Sequence, residues 1–110
     1  MQVDIYTEGF AMIKIVWIGF HEEGLKAFGK VLKQGHIVSG FITLTEEALS
    51  KRSAGSRKYK HICQEYGVPF YTIDTIKGDE AYRIIKGLSP DLLVVLGCSE
   101  ILPERLLNIP

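Results

Sequence analysis

The sequence lacks several features that would point to particular classes of protein. Its two cysteines, Cys63 and Cys98, are too few and too far apart for a disulfide framework or a metal-binding knuckle. Its 13 basic and 13 acidic side chains balance, so no overall field attracts nucleic acid or an acidic membrane. No apolar run is long enough to cross a membrane, and the N-terminus lacks the basic segment of a secretory signal. We therefore expect a cytoplasmic protein with no metal site.

The apolar residues, 46% of the chain, alternate between strand-like runs and helical stripes. Strands are predicted at residues 12–19, 36–44, 68–73 and 92–96, and the first and last read as buried strands. Strands that alternate with amphipathic helices predict a Rossmann-like three-layer α/β sandwich with a mainly parallel sheet. Residues 12–110 would form this single domain, and residues 1–11 would be an N-terminal extension.

Three helices are predicted between these strands from apolar stripes and from residues that begin or end helices. The first helix carries Leu25, Phe28 and Leu32 and ends at Gln34-Gly35. The second begins at a Ser56 cap, carries Tyr59, Ile62, Cys63 and Tyr66, and ends at Gly67. The third begins at an Asp79 cap and carries Ala81, Ile84, Ile85 and Leu88.

Ligands of this fold bind beyond the carboxyl ends of the strands, which directs attention to the turns after Gly19, Leu44 and Leu96. The first turn, GFHEEG, lacks the middle glycine of a dinucleotide fingerprint and the lysine of a P-loop. Its two glutamates are better explained as partners of the helix dipole than as neighbours of a phosphate. His21 in this turn is either an acid–base group beside a ligand or a histidine at the solvent edge of a loop.

The stretch KRSAGSRKYKH, residues 51–61, is the one strongly basic segment. It is either a solvated loop that leads into a helix or an anion contact. As an anion contact, Arg52, Arg57 and Lys58 would bind the phosphates of a nucleotide sugar, a tRNA backbone or a polyglutamyl tail.

The last turn, GCSEIL, follows the predicted fourth strand. Gly97 permits a backbone turn or a close approach of a ligand, while Ser99 and Glu100 offer polar groups beside the apolar pair Ile101 and Leu102. An apolar wall with free backbone hydrogen-bonding groups suits a flat heteroaromatic ring. The same residues would equally well form a βα turn whose isoleucine and leucine join the core.

Three stretches in this order, MIKIVWIGFHEEGLKAF, YGVPFYTI and LSPDLLVVLGCSEILPERLLNIP, resemble the N-terminal part of the folate-dependent formyltransferase family. The tRNA and sugar branches of that family are the more similar ones. The resemblance implies a Rossmann-like domain that uses 10-formyltetrahydrofolate. It also implies that residues of the last turn, Glu100, Ile101 and Leu102 above all, line the pterin pocket, with His21 towards the acceptor amine.

In this family the amine, on tRNA-borne methionine or on a nucleotide-linked amino sugar, attacks the formyl carbon through a tetrahedral oxyanion. An Asn and a His spaced by one residue, together with an Asp, serve that step. This chain has no Asn-x-His, since Asn108 is its one asparagine, so we identify no catalytic residue in it. We expect a formyltransferase fragment that is inactive as it stands. The alternatives are a non-catalytic folate- or nucleotide-binding module and an oligomerisation domain that forms a homo-oligomer through an exposed sheet edge.

Overall fold

A computed structural model describes residues 13–52, 55–98 and 102–109 of the chain. Its four parallel strands are β1 Ile15–Ile18, β2 Val38–Leu44, β3 Phe70–Ile73 and β4 Leu92–Val95. They form one sheet in the order β3-β2-β1-β4. The helices are α1 Leu25–Lys33, α2 Glu46–Leu49, α3 Lys58–Tyr66, α4 Asp79–Leu88 and α5 Glu104–Leu107, and a short 3-10 turn, Glu22–Gly24, precedes α1.

Helices cover both faces of the sheet, and each face has its own apolar core. On one face α1 and α3 enclose an aromatic cluster that includes Trp17, Phe28, Phe41 and Tyr59. Within it the Phe41 and Tyr59 rings are stacked with their centres 4.6 Å apart. On the other face, the residues of α4 and α5 pack against Val16, Ile18, Ile42 and Leu44 in an aliphatic core. The predicted three-layer α/β sandwich is therefore confirmed.

The predicted helix ends are confirmed where glycine supplies the left-handed backbone that ends a helix. Gly67 caps α3 with a φ of 69°, and Gly35 lies just beyond α1 with a φ of 89°. The predicted cap at Asp79 is wrong, because Gly78 takes the cap position and Asp79 is the first residue of α4. Its carboxylate accepts a hydrogen bond of 2.9 Å from Arg105 on α5 instead.

Helix α3 also departs from its prediction at both ends. Ser56 Oγ accepts a hydrogen bond from the Lys58 N–H at 3.2 Å, but Arg57 occupies the cap position. The placement of Tyr66 in the buried stripe is wrong, since 40% of Tyr66 is exposed. Tyr66 is the last residue of the helix.

The prediction that the fourth strand is buried is wrong. β4 pairs with β1 alone among the described strands, and it leaves 48% of Leu92 and 36% of Val95 exposed. A strand at the edge of a sheet has no neighbour to cover its outer side chains, so an apolar run does not by itself guarantee burial. Leu96, just beyond the strand, is 38% exposed, and it extends the apolar surface at this edge.

Two further features complete the fold. The short helix α2, which the apolar pattern did not predict, begins at Thr45, whose Oγ1 accepts a hydrogen bond of 3.3 Å from the Ala48 N–H. The predicted N-terminal extension, residues 1–11, lies outside the described residues.

Candidate functional site

The strand order singles out two of the three candidate turns. From β1 the chain moves to one side for β2 and later returns to the other side for β4. The crossovers on the two sides therefore diverge at the carboxyl ends of β1 and β4, which is the topological switch point where open α/β sheets bind ligands. The residues just beyond these ends are Gly19, Phe20 and His21 on one side and Leu96 and Gly97 on the other.

Gly97 joins the two turns. Its carbonyl oxygen accepts hydrogen bonds from the Phe20 N–H at 3.1 Å and from the His21 N–H at 2.9 Å. Its φ of 70° is left-handed, and a Cβ built on it would lie 3.3 Å from Glu23 Cγ and 3.4 Å from His21 Cβ. Both the backbone conformation and the contacts therefore favour glycine here, as the sequence predicted from the turn alone.

His21 is held by its backbone. Its carbonyl oxygen accepts a hydrogen bond of 2.6 Å from the Tyr59 hydroxyl and one of 3.2 Å from the Gly24 N–H. Its imidazole is mostly buried, with 15% of the side chain exposed, and Nδ1 lies 3.8 Å from Glu23 Oε1. The side chain is therefore fixed at the rim of the switch point, beside a carboxylate that a protonated imidazole would attract.

Tyr59 supports the backbone of the first turn, a role that the sequence did not predict. It sits on α3, 38 residues from His21, and its ring is completely buried. Burial above all, together with the charges of Glu23 and Glu22, raises the pKa of Tyr59 from 10.0 to about 12. The hydroxyl therefore stays protonated and can donate to the His21 carbonyl. The helical stripe predicted that Tyr59 is buried, but no local pattern indicates a hydrogen bond to so distant a turn.

The structure brings part of the basic segment to the first turn. Lys58 forms an ion pair with Glu22, and the Arg52 guanidinium lies 5.8 Å from the centre of the Phe20 ring. The Ser56 N–H donates to the Phe20 carbonyl at 3.0 Å, which ties the segment to the turn. Glu22 therefore has two favourable neighbours, which are the start of a helix, as predicted, and the Lys58 ammonium on α3.

Arg57, the third predicted cation, points elsewhere. Its Nε lies 3.7 Å from Glu46 Oε1 on α2, and both side chains are largely exposed. The four residues predicted to bind the acceptor therefore divide into a group at the first turn, with His21, Arg52 and Lys58, and a separate position at Arg57.

The predicted folate-side residues are described only in part. Ser99, Glu100 and Ile101 lie outside the described residues. Leu102 is partly buried and packs against the aliphatic core, which agrees with the alternative in which it joins the core. Leu96, directly before Gly97, keeps 38% of its surface exposed. Both leucines therefore keep part of their apolar surface exposed on either side of the turn.

Neither a metal-binding cluster nor a membrane-spanning helix occurs within the described ranges. No group of three or more His, Cys, Asp or Glu residues there is arranged to hold a metal ion. None of the helices in the same ranges is long and apolar enough to cross a bilayer.

Comparisons with known proteins agree with this geometry. The chain is 34% identical over 100 residues to the methionyl-tRNA formyltransferase of Macrococcus caseolyticus, a match that covers 90% of this chain and 32% of that protein. It is 30% identical over 103 residues to the enzyme of that name from Prochlorococcus marinus, and 25% identical over 99 residues to that from Thermotoga maritima. The chain spans about a third of the length of these curated relatives and aligns with their N-terminal part.

A solved structure shares the fold. Phosphoribosylglycinamide formyltransferase from Anaplasma phagocytophilum superposes with a TM-score of 0.62 at 19% identity, over 89% of this chain and 45% of that one. No protein-family model matches the chain. The chain is nevertheless similar in sequence to the N-terminal part of methionyl-tRNA formyltransferases, and it shares its fold with a solved formyltransferase.

Proposed function

We propose that this chain is the folate-side part of a 10-formyltetrahydrofolate-dependent N-formyltransferase that works in the cytoplasm. Residues 12–110 would be an incomplete N-terminal formyltransferase domain, and residues 1–11 an extension before it. The observation that carries the proposal is the 34% identity to a methionyl-tRNA formyltransferase over 90% of the chain. The position of the matching Gly97 turn at the switch point of the sheet supports it.

The folate would bind at the last turn. In this proposal Gly97, Ser99 and Glu100 offer backbone groups to the ring, while Ile101 and Leu102 form its apolar wall. The locked conformation of Gly97 supports this role, because a turn fixed before binding loses less entropy when a ligand arrives. The bound folate supplies the formyl group, and this chain would hold and orient the ring.

The acceptor would approach from the first turn. His21, Arg52 and Lys58 lie around Phe20 and Glu22, and they would contact the anionic part of the acceptor. Lys58 would exchange its exposed partner Glu22 for a phosphate, because a surface ion pair of this kind holds its partners weakly. Arg57 would reach the acceptor only if it left Glu46.

The acceptor class that we favour is the amine of methionine on tRNA. The three relatives described above all carry the name methionyl-tRNA formyltransferase, whereas the phosphoribosylglycinamide enzyme shares the fold at 19% identity. The amine of a nucleotide-linked amino sugar is the alternative acceptor. Neither reaction is expected of the chain alone, because its sequence has no Asn-x-His.

Formyl transfer tests the proposal directly. The 110-residue chain, and the same chain extended by any coding sequence that follows Pro110, are each incubated with 10-formyltetrahydrofolate and charged initiator tRNA or an amino-sugar nucleotide. We expect transfer to the tRNA by the extended protein and none by the chain alone. An extended protein that has no Asn-x-His and formylates neither acceptor would contradict the enzyme assignment.

A variant pair tests the acceptor side. Lys58→Gln in the extended protein should raise the KM for tRNA several-fold with little change in kcat, because a lost phosphate contact weakens binding rather than chemistry. Lys77→Gln removes an exposed charge on the loop before α4 and serves as the matched control. Equal KM values for the two variants would remove Lys58 from the acceptor site.

A second candidate function, oligomerisation, is favoured by one observation. The outer edge of β4 exposes Leu92 and Val95, and an exposed apolar edge strand is a template for pairing with another chain. Sedimentation velocity should then show a dimer that Val95→Lys abolishes and that Ile37→Lys, at a 59% exposed position away from this edge, leaves intact. A monomer at every concentration would dismiss this candidate.

A further inference from the structure

The side chains of His21 and Glu23 stand together over Gly97. A Cβ built on Gly97 would lie 3.4 Å from His21 Cβ and 3.3 Å from Glu23 Cγ, so both side chains cover the turn after β4. They occupy space that a side chain at position 97 would need. The imidazole and the carboxylate are also close to each other, with His21 Nδ1 3.8 Å from Glu23 Oε1. The structure thus places a histidine–carboxylate pair directly on the turn at the switch point.

The histidine is the fixed member of this pair. Its N–H donates to the Gly97 carbonyl at 2.9 Å, its carbonyl oxygen accepts from the Tyr59 hydroxyl at 2.6 Å, and an antiparallel bridge joins it to Gly55. Its side chain is 15% exposed, whereas that of Glu23 is 72% exposed. A shift of about 1 Å by the exposed carboxylate would bring the two atoms to the roughly 2.8 Å of a charge-assisted hydrogen bond.

Glu23 is the carboxylate that is available to the imidazole. Its neighbour Glu22 forms an ion pair with Lys58 on α3. Among the described residues, no lysine or arginine forms an ion pair with Glu23, and His21 is the one basic side chain beside it. The carboxylate of Glu23 can therefore accept a hydrogen bond from the ring without giving up another charged partner.

We propose that Glu23 is a positioning residue, which accepts a hydrogen bond from Nδ1–H of His21 and so leaves Nε2 as the ring nitrogen that a ligand meets. In a neutral imidazole one nitrogen is a donor and the other an acceptor, and the partner of the first decides which is which. With Nδ1–H directed to Glu23, Nε2 accepts a hydrogen bond from an N–H or O–H group of the ligand. Once the ring is protonated, Nε2–H donates to an anionic group of the ligand instead.

This assignment deepens the proposed function and rests on it for the identity of the ligand. The acceptor is proposed to approach from the first turn, and Nε2 is the atom of His21 that it would contact. The tautomer of His21, by contrast, is a property of the chain alone. It can therefore be measured independently of formyl transfer.

Two-bond ¹H–¹⁵N correlation spectra of the 110-residue chain test the pair. They are recorded at about pH 9, where a histidine ring is neutral, and the ¹⁵N shifts of each ring show which nitrogen carries the proton. We expect the Nδ1–H tautomer for His21. The exposed His36 and His61 serve as references in the same spectra and should show mainly the Nε2–H tautomer, which free histidine prefers.

Variants of Glu23 show whether its carboxylate sets the tautomer. Glu23→Leu removes the acceptor and keeps most of the side-chain volume, so His21 should change to mainly the Nε2–H tautomer. Glu23→Gln retains a carbonyl oxygen that can accept, and it should restore the Nδ1–H tautomer at least in part. Glu80→Leu removes an exposed carboxylate on α4 and is the matched control, in which His21 should behave as in the wild type. Thermal unfolding curves show that each variant is folded.

Two replacements of His21 locate the ligand contact in the extended protein. The side-chain nitrogen of glutamine lies near the position of Nε2 of a histidine, and that of asparagine lies near the position of Nδ1. We expect His21→Asn to raise the KM for tRNA about fivefold, because a hydrogen bond to the ligand is lost, and His21→Gln to stay within about twofold of the wild type. Equal KM values for the two variants would contradict the assignment of Nε2 to the ligand. If the extended protein formylates neither acceptor, the proposed function fails and the spectra still decide the pair.

Two results would overturn the pair. The first is an Nε2–H tautomer of His21 in the wild type. The second is an Nδ1–H tautomer that persists in Glu23→Leu, since another acceptor would then hold Nδ1. In either case Glu23 does not position the ring.

Discussion

Replacement of Gly97 by alanine tests whether the two turns of the switch point are locked together. The residue has a φ of 70°, and a left-handed backbone costs a residue with a Cβ about 1–2 kcal/mol. The new Cβ would also lie 3.3 Å from Glu23 Cγ, which is tighter than ordinary contact, and 3.4 Å from the His21 carbonyl oxygen, at the near limit of ordinary contact. We expect Gly97→Ala to lower the free energy of unfolding by about 2–3 kcal/mol, with the contact contributing about 1 kcal/mol of this.

Gly67→Ala is the control that separates the cost of the left-handed backbone from the cost of the contact. Gly67 has a φ of 69°, and a Cβ built on it would meet nothing within 4 Å. Gly67→Ala is therefore destabilised by the left-handed backbone alone. The effect of alanine on the unfolded chain is the same in both variants. Urea unfolding followed by circular dichroism gives the free energy of unfolding of each. If Gly97→Ala costs no more than Gly67→Ala, the contact between the turns is not tight and the locked site is refuted.

Three further predictions concern the support around the site. Tyr59→Phe removes a 2.6 Å hydrogen bond and should cost about 1 kcal/mol at pH 7. Burial, aided by two nearby glutamates, raises the pKa of Tyr59 to about 12. The contribution of this hydroxyl to the free energy of unfolding is therefore complete below pH 10 and lost between pH 10 and 12. If Tyr59→Phe loses stability between pH 10 and 12 as the wild type does, this is contradicted. Burial also raises the pKa of Cys63 to about 12, so iodoacetamide at pH 8 should modify Cys98 well before Cys63, and equal rates by mass spectrometry would refute that. Leu106→Ala, at a fully buried position, should cost about 2–5 kcal/mol in urea unfolding, whereas Leu107→Ala, 58% exposed, should cost under about 0.5 kcal/mol; similar costs would show that α5 is not anchored through Leu106.

The layers of the fold could be predicted from the sequence because its local signals agree with one another. Apolar runs, helical stripes and the glycines at Gly35 and Gly67 all mark the same elements, and the observed strands and helices follow them. The burial of β4 could not be predicted in this way. Its residues are as apolar as those of β1, and whether they are covered depends on which strand lies at the edge of the sheet.

The candidate site could be predicted as three turns but not as a particular pair. The sheet order joins the turn at His21 to the turn at Gly97, and this order depends on crossovers between distant segments. The same limit applies to Tyr59. It is an ordinary residue of a helix in the sequence, and it gains its role from a contact that only the folded chain provides.

Calorimetric titration with a reduced folate is the most direct test that the last turn is the folate side of a formyltransferase. The 110-residue chain, shown by circular dichroism to be folded, is titrated with tetrahydrofolate beside a Gly97→Val variant and the Gly67→Ala control. We expect measurable heat with the wild type and with Gly67→Ala, and at least a tenfold loss of affinity in Gly97→Val, because a β-branched residue does not adopt the φ of 70° and would displace the turn that is proposed to receive the ring. Absence of heat at high micromolar folate on the folded wild-type chain, or equal affinity in Gly97→Val, would contradict the account.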